Sequence, residues 1–99
     1  MPSVFVNLAV AGPTTLVAGV ADKRIWITGV SLSAAGTVKA TLQDSAGTPV
    51  PIDAYNLVAG NGPSWTNQDS DLCVPKGLDL NLLLSGAVNV AGHITYYVK

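Results

Sequence analysis

The sequence predicts an all-β domain, a single antiparallel β-sandwich of jelly-roll type with about seven or eight short strands. Three observations carry this expectation. The apolar runs alternate with period 2, Gly and Pro turn signals recur about every 8–12 residues, and no long stretch holds a helical period free of Gly or Pro. The crossovers rich in Pro or Gly favour a jelly roll over a simple meander. With 99 residues and neither an internal repeat nor a low-complexity linker, the chain reads as one domain, residues 1–99.

Along the chain, Met1–Val10 places Val4, Val6, Leu8 and Val10 on one side and Phe5, Asn7 and Ala9 on the other. Such a strand is satisfied only by pairing and burial, and residues 1–10 are expected to be an attachment strand that adds to a neighbouring sheet edge. Thr14–Ala18 is a second strand. In Arg24–Ser33 the alternation slips at Gly29: Ile25 and Ile27 share one face, Val30 and Leu32 the other. Either a bulge absorbs the slip, or the strand is buried on both faces with Trp26 under a neighbouring subunit. Thr37–Asp44 reads as half-solvated, with Val38, Ala40 and Leu42 inward and Lys39, Thr41 and Gln43 outward.

Pro49 and Pro51 lack N–H donors and place the next segment at an edge or crossover before the strand Ile52–Leu57. Ser64–Ser70 is read as a polar loop carrying Trp65, and Asp71–Val74 as a brief pairing segment. Leu78, Leu80, Leu82 and Leu84 give the cleanest alternation in the chain. A return strand then runs through Ile94, Tyr96 and Val98.

Chemistry is poorly supplied. Charged residues make up 11% of the chain, with one His, one Cys and no Glu, against 48% hydrophobic residues. An enzyme site needs titratable groups in partnered sets, so neither a catalytic residue nor a cofactor is expected. Cys73 cannot form an intrachain disulfide and reads as a small core hydrophobe rather than a nucleophile. His93 reads as a strand-end histidine held by a backbone hydrogen bond. Asn67–Asp71 begins like a calcium loop, but Leu72 stands where Gly is needed and Leu78 where a bidentate Glu would be, so no metal is expected.

The net charge of −1 offers nucleic acid no basic footprint. Residues 1–21 are uncharged, yet they lack a basic leader and are broken by Pro2, Asn7, Gly12 and Pro13, so no signal peptide or membrane span is expected and synthesis in the cytoplasm is.

Trp65, in its Gly- and Pro-flanked loop, can plug the sandwich end, meet a subunit, or stack on a sugar. Leu83 and Tyr97 break the polar faces of their strands. With Phe5 and Trp26 they suggest a patch that a partner covers. Val4, Phe5, Val6, Trp26, Trp65, Leu83 and Tyr97 are thus the interface candidates. A domain this small buries only a marginal core, and an oligomer would supply more.

Two segments carry a resemblance: Thr14–Val38, containing LVAGVADKRIWITGVSLSAAGTV, and the end GLDLNLLLSGAVNVAGHITYYVK. Their basic pair Lys23-Arg24, the turn Leu32–Gly36 and the Gly-led leucine strand returning through Val90–Tyr96 resemble small β proteins encoded among bacteriophage virion genes. About half of the chain is covered. The resemblance implies a non-enzymatic virion component, a capsid decoration or cement protein. The alternative it offers is a fibre or tail module recognising a host-surface glycan or receptor through the Trp65 loop. It also implies a homotrimer contacting the major capsid protein or other virion proteins, with neither nucleic acid nor membrane as partner.

Overall fold

The alternating runs become strands in a computed structural model that describes residues 2–67 and 71–99. In chain order they are β1 (Ser3–Leu8), β2 (Gly12–Val17), β3 (Ile25–Ala34), β4 (Val38–Asp44), β5 (Pro51–Leu57), β6 (Ser64–Thr66), β7 (Cys73–Val74), β8 (Leu80–Leu84) and β9 (Val90–Val98). Two antiparallel sheets result, one ordered β1-β9-β3-β6 with β7 also on β3, the other β2-β8-β4-β5. Most connections pass from one sheet to the other, and the first strand lies beside the last. This is jelly-roll order, as expected. β6 and β7 lie end to end along one edge of β3, so together they fill a single strand position.

The slip in β3 is absorbed by a bulge. Ile27 pairs with Tyr96 and Gly29 with Thr95, leaving Thr28 as the extra residue. Ile25, Ile27, Val30 and Leu32 all therefore face the core, each at most 4% exposed. The bulge also fits the opposite edge, where the Thr28 carbonyl accepts from the Asn67 N–H and the Ile27 N–H donates to the Leu72 carbonyl. In β8, Leu80, Leu82 and Leu84 are buried, as the alternation predicts. Pro51 opens β5, which is an edge strand, also as predicted.

Other expectations need correction. Ser64–Ser70 does not begin as a loop, because residues 64–66 pair with β3 as β6. Thr41 and Gln43 are buried at 8% and 6% exposure. β4 has strands on both sides, and its outward positions lie between neighbours such as Leu83 and Asn81. The expected attachment strand is built into the domain's own sheet. β1 pairs with β9 over its whole length and Val6 is fully buried in the chain's own core, so Val6 leaves the set of interface candidates.

Buried polar groups fasten the turns. The Asp44 carboxylate, 2% exposed, accepts from the Ala46 and Val50 amides at 3.1 Å each. Asp79 accepts from the Gly19 amide at 2.6 Å. At Gly92 the backbone has φ +150°, and a Cβ there would meet the Ser31 carbonyl oxygen of β3.

Two outcomes follow. Removing residues 1–10 is expected to unfold the domain, and Val6→Ala to lower stability by about 2 kcal/mol in urea titration. Gly92→Ala should cost about 2–4 kcal/mol, or prevent folding, since both φ and the β3 backbone oppose a side chain.

Candidate functional site: the outer face of the β1-β9-β3-β6 sheet

Side chains in register across this sheet form rows on its solvent side. One row is Phe5, His93 and Ser31, another Tyr97, Trp26 and Cys73. The Phe5 ring, 65% exposed, lies 5.8 Å from His93 at 55°. Trp26 and Tyr97 stack with centroids 6.2 Å apart and planes at 12°.

Trp26 is thus half-covered by its own chain. Its buried Nε1 has no hydrogen-bond partner. Cys73 belongs to this face and not to the core, because its register partner is Trp26; Arg24 Nη1 lies 3.7 Å from its Sγ. His93 is no strand-end residue. It sits within β9, exposed, between β1 and β3.

A shallow cleft of about 360 Å³ opens between these rows, lined by Ser3, Gly29, Ser31, Ser64, Trp65, Thr66, His93 and Thr95, with Val30 beneath. Gly29 makes room for it, since a Cβ there would collide with Thr95 Oγ1. The bulge therefore shapes the cleft as well as the core. Serine and threonine hydroxyls both donate and accept, so the lining can meet uncharged polar groups. A second hollow of about 300 Å³ lies by Val50, Pro51 and Leu72.

Trp65 stands at the cleft's rim and packs against the core. Its Nε1 donates to the Tyr55 hydroxyl at 3.2 Å, and that hydroxyl donates to Asp53 Oδ2 at 2.8 Å. This chain ties β6 to β5 across the two sheets, so Trp65 plugs the sandwich margin while one part lines the cleft. Burial pushes the Tyr55 hydroxyl well above its ordinary pKa, and the bond to Asp53 adds to the rise. Sequence reading missed Tyr55 and Asp53. Their only signal was a Tyr two residues after an Asp on an edge strand, where side chains share a face.

The remaining candidates lie elsewhere. Val4 is half-buried on the core side of β1. Leu83 is half-covered on the outer face of the other sheet, opposite Pro13 and Thr41. The expected patch of Phe5, Trp26, Leu83 and Tyr97 is therefore split, with Leu83 on the opposite side of the sandwich. Of the Asn67–Asp71 run, residues 68–70 lie outside the described residues. Among the described residues, no group of three or more His, Cys, Asp or Glu stands close enough to hold a metal ion, and no helix is long and apolar enough to cross a membrane.

The Tyr55 shift has a measurable sign. A folded-state pKa raised above 10.0 gives stability that is fully present below that value and lost as pH rises above it. The urea midpoint of the wild type should fall as pH rises above about 10, and Tyr55→Phe should flatten part of that fall. Comparison of the chain with protein-family models, characterised proteins and solved structures finds no match.

Proposed function

We propose that this chain is a non-enzymatic structural protein of a bacteriophage virion, one that decorates or cements the capsid through apolar contacts between subunits. The observation that carries this reading is a surface poor in charge and rich in exposed apolar groups. Only 11% of the residues are charged, against about 25% in ordinary soluble domains. Phe5, Val10 and Val50 stand 65%, 69% and 59% exposed. With so few charges beside them, such groups favour cover by a partner. The jelly-roll order supports the reading, since viral capsid domains use this architecture, although a fold by itself assigns no function. So does the resemblance of Thr14–Val38 and the C-terminal strands to virion proteins.

One observation favours the alternative, a fibre or tail module binding a host-surface glycan. The hydroxyl-lined cleft beside Trp65 suits an uncharged saccharide better than a charged ligand. The Trp65 ring is, however, largely committed to the core and to Tyr55, which leaves little of it for sugar stacking.

Imaging intact particles with and without the protein separates the two. A cement protein should occupy regular capsid positions and raise the temperature at which particles release their genome. Copies confined to fibre or tail tips, with specific saccharide binding on a glycan array, would replace the first reading with the second.

A further inference from the structure

Jelly rolls leave sheet edges open, and among the described residues three of the four edges carry devices that discourage pairing. β2 contains Pro13, begins at Gly12 with φ +102°, and has a register shift between Thr15 and Val17. β5 begins with Pro51, carries Asp53, and meets β4 through a shift between Leu42 and Gln43. The fourth position of the other sheet is broken into β6 and β7, of three and two residues. Proline, charge, bulges and short length are the usual means of blunting an edge.

β1 has none of these within its bounds. Its register with β9 runs unbroken from Ser3 to Leu8, its residues are uncharged, and Phe5 stands 65% exposed. Which backbone groups it presents follows from the ladder. The Tyr96 amide donates to the Pro2 carbonyl, so the alternate residues Val4, Val6 and Leu8 exchange bonds with β9. The N–H and C=O groups of Ser3, Phe5 and Asn7 therefore point away from the sheet.

We propose that this edge pairs with a second copy of itself, antiparallel about a two-fold axis at Phe5, extending the β1-β9-β3 sheet across two molecules. The strand is self-complementary in that register. Ser3 meets the partner's Asn7, Phe5 meets the partner's Phe5, and about six main-chain hydrogen bonds close between groups otherwise left to water. The two phenyl rings become a cross-strand pair on the outer face. On the inner face the half-buried Val4 comes opposite the partner's Val6 and gains cover. Electrostatics do not oppose the union, since residues 1–21 carry no charged side chain.

One six-residue strand on its copy buries less than the ~1,200 Å² of a standard interface, so the pairing is weak in free solution. On a symmetric particle it would be reinforced by each chain's other attachments. An isologous contact of this kind builds dimers, in contrast to the trimer that the sequence resemblance implies.

The test follows individual amides by hydrogen exchange and mass by sedimentation, at chain concentrations from about 10 µM to 1 mM. The proposal expects the amides of Ser3, Phe5 and Asn7 to gain protection together as a dimer appears, while those of Val4 and Val6 are protected throughout. Phe5→Lys places two ammonium groups face to face, and Asn7→Pro removes an outward-pointing donor together with the exposed hydrogen bond that Asn89 Nδ2 donates to the Asn7 side chain. Both should abolish the dimer and the added protection, with melting temperatures close to wild type.

Unchanged exchange at residues 3, 5 and 7 over the whole range would overturn the proposal. So would a dimer or trimer that survives both substitutions. Protection of these amides that appears only on adding capsid particles and is retained by Phe5→Lys would assign the edge to another chain and equally end self-pairing. Because none of these readouts depends on a virion except that last arm, failure here leaves the proposed function standing.

Discussion

One surplus residue in β3 governs the architecture. Thr28 lets a strand whose alternation slips keep Ile25, Ile27, Val30 and Leu32 on one side. Without it, one half of the strand would turn its isoleucines or its Val30 and Leu32 to water, and β9, which follows β3 along its length, would lose its facing side chains. The same bulge sets the junction between β6 and β7 and leaves Gly29 facing outward, where the absence of a side chain opens the cleft. Core, edge and surface thus depend on a single local irregularity.

The parts legible in the sequence were those where a face is buried on one side only. Leu80, Leu82 and Leu84 alternate because β8 lies over the core, and that periodicity reads directly. Even the slip at Gly29 was visible, since two pairs of apolar residues of opposite parity call for either a bulge or burial on both faces, and the register shows the bulge.

What escaped reading depends on neighbours distant in the chain. Thr41 and Gln43 look solvated in sequence, and only the flanking strands cover them. Cys73 looks like a core residue beside Leu72 and Val74, yet its register partner, Trp26, assigns it to the outer face. The polar run after Pro63 hides a strand because β6 is only three residues long, too short to show a period. The candidate face was half legible. Phe5, Trp26 and Tyr97 do share it, whereas Leu83 belongs to the other sheet, a distinction that alternation within single strands cannot make.

The order of the strands also constrains how the chain reaches this state. Among the described strands β1 finds its sheet neighbour in β9, so the earliest of them waits for the latest before its ladder can close. During synthesis and early folding Val4, Val6 and Leu8 have no native partner strand, and both edges of β1 are open rather than one. Folds dominated by such distant pairings acquire structure slowly and expose adhesive intermediates. The absence of charge along β1, harmless once β9 has docked, is a hazard in that interval. Productive folding of this chain should therefore be favoured by low nascent-chain concentration and moderate temperature, conditions that give β9 time to arrive before another molecule does.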